Sequence, residues 1–227
     1  MKNKKIISLF LVFILLFSFF GCKNKNEEEE IKNREYDKTQ VEEAARILLE
    51  KSVPVNEILF GRGFEFVNDN SNSIYKKASA SSLEKYGVNK VEDIKALAGE
   101  VYSSGYMSTV NASDIFSSVS DGESIRFYTR YYNDEDGGIF VNSTYNYVLK
   151  NEYEYISDPV AIGSVGEFVI VKVTVRATIL GENGESLKIR DFDHRIKMVE
   201  EDGKWKLHSS SYIVYNEYTD IYEDMNK

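Results

Sequence analysis

Residues 168–208 read FVIVKVTVRATILGENGESLKIRDFDHRIKMVEEDGKWKLH, and apolar and polar residues alternate through most of this stretch. Alternation with a period of two predicts β-strands that bury one face. Asn183-Gly184 and Asp202-Gly203 divide the stretch into three parts. Because Asn-Gly and Asp-Gly are the strongest short hairpin signals, we predict a three-stranded antiparallel meander.

Two-residue turns at these positions also predict which residues face each other. In this register His194 lies opposite Val173 and Arg176 lies opposite Asp191. Apolar residues then meet apolar residues across all three strands, which supports the register because a slip of one residue would reverse both faces. His208 is expected on the opposite face from His194. The expected apolar face carries Val169, Val171, Val173, Val175, Ile179, Phe192, His194, Ile196, Met198, Trp205, Leu207, Ser209, Ser211 and Ile213.

Helical patterns precede this meander. Apolar residues at helical spacing predict a helix that begins with an N-cap at Thr39 and ends at Pro54, and a second helical region from Ser79 to Met107. Helices followed by strands predict an α+β domain over residues 38–227, with the N-terminal helices packed on one face of the C-terminal antiparallel meander sheet. The expected strands are Ile125–Tyr132, Gly138–Val141, Tyr145–Tyr155, Phe168–Leu180, Leu187–Glu200 and Lys204–Tyr215.

The N-terminus predicts export. Three early lysines precede an almost purely apolar run from Ile6 to Phe20, the pattern of a secretory signal. The run has about 15 residues, fewer than the roughly 20 needed to span a bilayer as a helix. Gly21-Cys22 resembles the end of a bacterial lipobox, which implies cleavage after residue 21 and lipid on Cys22. We therefore expect residues 1–21 to be a lipoprotein signal peptide.

Residues 22–37 are expected to be the lipidated cysteine and a flexible tether, because nearly all of them are polar or charged and they cannot bury a core. The lipid on Cys22 would attach the protein to the extracytoplasmic face of the cell membrane. Cys22 is the single cysteine, so the mature chain can form no internal disulfide.

The charge of the chain argues against nucleic acid as a partner. The formal net charge is −9, and loss of the three signal lysines makes the mature chain −12. An acidic surface repels phosphate backbones and anionic lipid headgroups alike. No phosphate-binding loop or metal-ligand motif is evident, so neither a cofactor nor a metal is expected.

Two groups of polar residues in the meander are candidates for chemistry. His194 and Ser211 face each other on the apolar side, either as satisfied core residues or as a general base in a cone-shaped pocket. Asp191 and Asp193 share the wet face with Arg176, either as a surface charge lattice or as part of a binding surface.

Tyrosines crowd the first half of the predicted sheet, and Tyr128, Tyr145 and Tyr147 are the candidates for an exposed binding surface. Exposed tyrosine offers rigid apolar area with a hydroxyl group, which suits the binding of glycans or protein. Ordinary sheet packing is the alternative.

Two short segments resemble known groups. The ending VEEDGKWKLH, residues 199–208, resembles the penultimate turn and last strand of NTF2-like and cystatin-like domains. The helix Val91–Tyr102 and the segment DGGIFV, residues 136–141, resemble secreted envelope proteins of low-GC Gram-positive bacteria, among them the DL-endopeptidase inhibitors. These resemblances imply an NTF2-like or cystatin-like fold and an envelope binding protein without catalysis.

The sequence as a whole thus predicts a non-catalytic cell-surface lipoprotein that binds an envelope protein or peptidoglycan. One alternative is a protein inhibitor or modulator of a cell-wall hydrolase. The other is an NTF2-like enzyme that uses His194 in a cone-shaped pocket.

Overall fold

The computed structural model describes residues 35–67, 73–111, 113–117, 129–181 and 183–212. These residues belong to one compact unit, Arg34–Lys227. Within the described ranges the chain forms four helices and eight strands. In chain order they are α1 (Lys38–Leu59), β1 (Tyr75–Lys77), α2 (Ala80–Tyr86), α3 (Val91–Val101), α4 (Ser104–Asn111), β2 (Tyr131–Asn133), β3 (Ile139–Asn142), β4 (Glu152–Tyr155), β5 (Val160–Val165), β6 (Phe168–Leu180), β7 (Ser186–Glu201) and β8 (Lys204–Leu207).

The strands form two antiparallel sheets. A three-stranded sheet has the order β1-β3-β2, and a five-stranded sheet has the order β4-β6-β7-β8 with β5 also paired to β6. Strands β4 and β5 therefore lie end to end along the same side of β6. The predicted α+β class is confirmed. The sequence analysis missed β1 and β5, and it also missed the division into two sheets.

The predicted register of the meander is confirmed. Val173 pairs with His194, Arg176 pairs with Asp191, and Met198 pairs with Leu207. The register shifts only at the far end of the β6–β7 hairpin, between Ile179 and Leu180.

Strand β8 is shorter than predicted and ends at Leu207. The backbone N–H of Lys197 then donates to the Ser209 side chain, 3.0 Å away, instead of to a strand carbonyl. Side-chain hydroxyls that bond backbone groups in this way compete with a regular ladder. The strand was predicted to extend to Tyr215. This prediction is wrong for residues 208–212, which the structure describes and which are not part of β8. Residues 213–215 lie outside the described residues.

The N-cap of the first helix lies two residues before the predicted one. The Asp37 side chain accepts a hydrogen bond from the backbone N–H of Gln40 at 3.0 Å, so Asp37, and not Thr39, caps α1. Both residue types satisfy helix-start N–H groups, and sequence alone does not decide between neighbouring candidates.

Helix α1 also continues past Pro54 to Leu59, so the predicted end at Pro54 is wrong. Proline in a helix removes one hydrogen bond, here the one to the Glu50 carbonyl. The turn after it buries Val55, Ile58 and Leu59 completely or nearly so. This burial of apolar surface offsets the lost hydrogen bond, since a fully buried aliphatic side chain contributes roughly 1.5–3 kcal/mol.

The region from Ser79 to Met107, predicted to be helical, contains parts or all of three separate helices. Helix α2 begins at the Ser79 N-cap and ends at Gly87, which has a left-handed backbone conformation; α3 and α4 follow. None of the helices within the described residues has both the length and the apolar character needed to cross a membrane.

Candidate functional site

A groove separates α1 from the outer edge of β4. It consists of two cavities of about 900 and 360 Å3. Both cavities are lined by Val53 of α1 and Tyr153 of β4, so they are adjacent, and we call the two together the groove. Its course along the sheet edge runs from Leu149 to Pro159.

The edge of β4 that faces away from β6 presents backbone polar groups. The N–H of Ile156 donates to the Thr174 carbonyl oxygen at 2.9 Å. In an antiparallel ladder hydrogen-bonded pairs alternate with non-bonded ones, so Tyr153 and Tyr155 are at the non-bonded positions. The N–H and C=O groups of these two residues therefore point away from β6, and they have no backbone partner among the described residues.

The edge of the neighbouring strand is capped at one position. The N–H of Ala161 in β5 donates to the Glu42 carboxylate of α1 at 3.0 Å. Unpaired strand edges are templates for pairing with another chain. Within the described residues, the outward groups of Tyr153 and Tyr155 in β4 are where such pairing can occur.

The wider cavity has an acidic lining. Arg46, Glu50, Glu154 and Asp158 contribute to its walls. The Arg46 guanidinium bonds Glu43 at 2.6 Å and Glu50 at 3.1 Å, and the hydrogen bond to Glu43 is the main reason that the pKa of Arg46 is raised. One arginine against three lining carboxylates leaves the groove with an excess of negative charge.

A buried cluster of polar side chains lies on the core side of β4; we call it the hydroxyl cluster. Asn56 is its centre: its Nδ2 donates to the Tyr153 hydroxyl at 2.8 Å and to Ser211 Oγ at 2.9 Å, and its Oδ1 accepts from the Tyr102 hydroxyl. Asn56 and Ser211 are fully buried. The remaining members are Ser52 and Tyr155.

The hydroxyl cluster fixes the position of β4 against α1. Ser211 Oγ donates to Ser52 Oγ at 2.8 Å, and the Tyr155 hydroxyl donates to the Ser211 carbonyl oxygen at 2.7 Å. Burial raises the pKa of Tyr102, Tyr153 and Tyr155. The three phenols therefore stay neutral at physiological pH. The hydroxyl cluster has no charged member and stabilises the fold through hydrogen bonds.

The two predicted pocket residues have separate partners. His194 Nε2 lies 3.1 Å from the Ser210 carbonyl oxygen, whereas Ser211 belongs to the hydroxyl cluster. The described hydrogen bonds therefore do not bring His194 and Ser211 together as an acid–base pair. The second histidine, His208, lies on the other face, as the register predicts: its ring is 4.5 Å from that of Phe168, and its Nδ1 is 2.7 Å from Ser103 Oγ.

The half-buried imidazole of His194 predicts that acid lowers the stability of the fold. Burial lowers the pKa of His194, with the Ser210 carbonyl acting in the opposite direction. The stability that neutral His194 contributes is therefore complete above the unfolded-state pKa of about 6.5 and is lost as the pH falls through the folded-state value. Urea unfolding at pH 7.5 and pH 5 should show a smaller loss of stability in His194→Gln than in the parent. Equal losses would contradict this assignment.

The predicted charge lattice on the exposed face is present. Arg176 binds Asp191 through two hydrogen bonds of 2.8 Å, and Lys172 Nζ lies 2.9 Å from Asp193. These contacts are the main reason that the pKa values of both aspartates are lowered. Each aspartate is thus bound to a neighbouring cation on the sheet surface.

The three predicted surface tyrosines have different outcomes. Tyr128 lies outside the described residues. The Tyr145 hydroxyl donates to Asp114 Oδ1 at 3.0 Å, and burial together with this carboxylate raises the pKa of Tyr145 to about 12. Tyr145 and Tyr147 line a cavity beside Arg130, so they are not part of the aspartate lattice on the five-stranded sheet.

No protein-family model matches this chain, and no curated protein is detectably similar to it. The resemblances to NTF2-like and cystatin-like domains and to DL-endopeptidase inhibitors therefore remain predictions from short segments. Among the residues with described positions, no group of three or more histidine, cysteine or carboxylate side chains is arranged to hold a metal ion. The functional argument rests on the groove.

The sequence analysis missed the groove. It merged β4 with the preceding loop and did not recognise β5, so it could not predict a strand edge that borders the groove at β4 and is capped by α1 at Ala161. Pro159 was the available signal, because a proline between two apolar segments breaks a strand into separate parts. Pro54, interpreted as a helix end, lines the same groove.

Proposed function

We propose that this protein is a lipid-anchored envelope protein that binds an extended, basic segment of another polypeptide along the free edge of β4. The observation that carries this proposal is the pair of outward-facing backbone units at Tyr153 and Tyr155, which border an open groove. An extended segment that pairs with them would add a strand to the sheet, a recurrent mode of peptide recognition.

The walls of the groove support this kind of ligand. Val53 and Ile156 are exposed and offer apolar surface to side chains of a bound strand. Glu50, Glu154 and Asp158 lie beside them and complement lysine or arginine side chains on the ligand. Because charges at the rim act mainly on the rate of association, binding should weaken as salt is added.

The cellular context of this proposal comes from the sequence. A lipid on Cys22 and a tether over residues 22–37 would hold the domain at the extracytoplasmic face of the membrane, where envelope proteins are the polypeptides within reach. A cell-wall hydrolase that is inhibited or modulated by strand pairing is one such partner. Peptidoglycan and catalysis through His194 remain hypotheses, and no contact in the groove favours either of them.

A labelled ten-residue peptide of alternating lysine and valine tests the proposal. Fluorescence anisotropy should report its binding to the purified full chain. A copy that is N-methylated at alternate residues keeps the side chains but cannot pair as a strand, so it should bind at least tenfold more weakly, a loss of about 1.4 kcal/mol or more.

A bulky substitution in the groove provides a second test of the proposed peptide binding. Val53→Trp would fill the space against Tyr153, and we expect it to weaken peptide binding about tenfold. Ile47→Trp is the matched control, because Ile47 and Val53 are 40% and 42% exposed on the same helix and Ile47 does not line the groove. Equal affinity of the two variants, or of the two peptides, would refute edge pairing at β4.

A further inference from the structure

Arg130 is a buried cation at the C-terminal end of α1. It is 1% exposed. Its Nη1 donates to the Leu59 carbonyl oxygen at 3.0 Å, and its Nη2 donates to the Gly61 carbonyl oxygen. The guanidinium carbon lies 5.1 Å from the ring centre of Tyr131 and 4.9 Å from that of Tyr145.

These contacts satisfy only some of the hydrogen-bond donors of the Arg130 guanidinium. Arg130 Nε has no hydrogen-bond partner, and no carboxylate within the described residues forms an ion pair with Arg130. The carbonyl end of a helix carries about half a negative charge, which leaves positive charge uncompensated. A buried charge without a full partner is unfavourable, so an anion beside Arg130 would stabilise the fold.

The space for such an anion is present. A cavity of about 290 Å3 is lined by Arg130 and by Arg62. The Arg62 side chain is exposed and makes no hydrogen bond or ion pair with any described residue. Glu65 is the single lining carboxylate, so two arginines and one glutamate leave one net positive charge. The remaining walls are mainly aromatic: Phe64, Phe66, Tyr145 and Tyr147.

Two nearby carboxylates have other hydrogen-bond partners. Glu57 Oε1 accepts a hydrogen bond from the backbone N–H of Arg62 at 3.0 Å. Asp114 accepts a hydrogen bond from the Tyr145 hydroxyl. Among the described residues, neither carboxylate forms an ion pair with Arg130.

We infer that this cavity binds a small apolar or aromatic molecule through a single carboxylate, with Arg130 and Arg62 as its cationic partners. A carboxylate matches the planar donors of a guanidinium, and one negative charge balances the net charge of the lining. The volume is at the lower end of the usual range for ligand pockets, roughly 300–1,000 Å3, which limits the ligand to a small molecule or the last residue of a peptide. This site shares no lining residue with the β4 groove, so the inference is independent of the function proposed above.

Isothermal titration of the purified full chain with 3-phenylpropionate and 3-phenylpropanamide tests the inference. The two probes have nearly the same size and shape, but only the first carries a charge. We expect the carboxylate to bind at least tenfold more tightly, since a charge-assisted hydrogen bond is about twice as strong as a neutral one. Comparable affinity of the two probes, or the absence of binding by the acid, would overturn the inference.

The peptide Gly-Gly-Phe, with a free carboxylate or a C-terminal amide, distinguishes the source of the ligand. Tighter binding of the peptide acid than of 3-phenylpropionate indicates a chain terminus, and the reverse order indicates a free small molecule. Both results require the carboxylate preference and so support the site.

Arg62→Gln is the informative variant, because Arg62 is exposed and its loss leaves the core intact. We expect it to weaken 3-phenylpropionate binding about fivefold. Arg195→Gln, an exposed arginine on the five-stranded sheet, is the matched control and should leave binding unchanged. An unchanged affinity in Arg62→Gln, or an equal loss in Arg195→Gln, would contradict the assignment to this cavity.

Discussion

Replacement of Asn56 by alanine should lower the free energy of unfolding by about 4 kcal/mol, because one truncation removes a partner from three hydroxyls, two of them on fully buried residues. Tyr102 loses its acceptor, and Tyr153 and Ser211 lose a donor. An unsatisfied buried polar group costs roughly 1–3 kcal/mol, and the cavity left by the amide adds to this loss. Against a typical total of about 5–15 kcal/mol, the change is large.

Urea unfolding followed by the fluorescence of Trp205, the single tryptophan, measures this effect. Asn146→Ala is the matched control, because Asn146 is exposed and has no described side-chain partner. The control should change stability by no more than about 0.5 kcal/mol. Similar stability losses in the two variants would show that the hydroxyl cluster does not stabilise the fold.

A double-mutant cycle separates one contact from the rest. Tyr153→Phe removes a single hydroxyl and leaves one Asn56 N–H without its partner, so it should cost about 1–2 kcal/mol. After Asn56→Ala that hydroxyl is already without its donor, so the second substitution should cost less. We expect a coupling free energy of about 1 kcal/mol, within the usual range for residues in one network. Simple additivity would contradict the contact.

The strand register of the meander could be predicted residue by residue, because local signals determine it. Asn183-Gly184 and Asp202-Gly203 are short turns with one dominant geometry, and the burial of one face rejects a register shift. Together they predict that Val173 lies opposite His194, which the structure confirms. The α+β class followed from the change of period between the two halves of the chain.

The binding groove and the hydroxyl cluster could not be predicted in the same way, because they depend on contacts between distant segments. Asn56 and Ser211 are 155 positions apart. The period of two places Ser211 on the apolar face of the sheet, but no sequence pattern pairs it with Asn56. Pro54 has a strong local preference to end a helix. That preference was overridden by the burial of the following turn, which a local pattern does not reveal.

Arg130 illustrates the same limit. Arginine is almost never fully buried unless it is paired, so a sequence pattern assigns it to the surface. Its environment arises only when the end of α1, β2 and the segment around Tyr145 meet. The sequence showed that tyrosines crowd this region, but it did not reveal that Arg130 lies against two of them.

Replacement of Gly63 by alanine should destabilise the protein by about 3 kcal/mol or more, because two effects add at this position. Gly63 has φ +75°, where a side chain costs roughly 1–2 kcal/mol. In addition, a Cβ at residue 63 would lie within 3.0 Å of both the Tyr131 hydroxyl and Arg130 Nη2. Both groups are held by the end of α1, since the Tyr131 hydroxyl donates to the Ile58 carbonyl oxygen at 2.7 Å.

Gly137→Ala is the control that isolates the backbone effect. Gly137 has φ +83°, but a Cβ there would have no neighbour within 4 Å. Its replacement should cost only about 1 kcal/mol. Urea unfolding of the two variants therefore yields the steric contribution by difference, and equal losses would mean that the loop at Gly63 moves away from Arg130 without cost.

Tyr131→Phe identifies the group that Gly63→Ala meets. It removes the hydroxyl that blocks the new Cβ, at a cost of about 1 kcal/mol for the lost hydrogen bond. In the Tyr131→Phe background, Gly63→Ala should be less destabilising than in the parent by about 1 kcal/mol, while the conflict with Arg130 Nη2 remains. An unchanged penalty would exclude the tyrosine hydroxyl and leave the buried guanidinium as the group that requires glycine at residue 63.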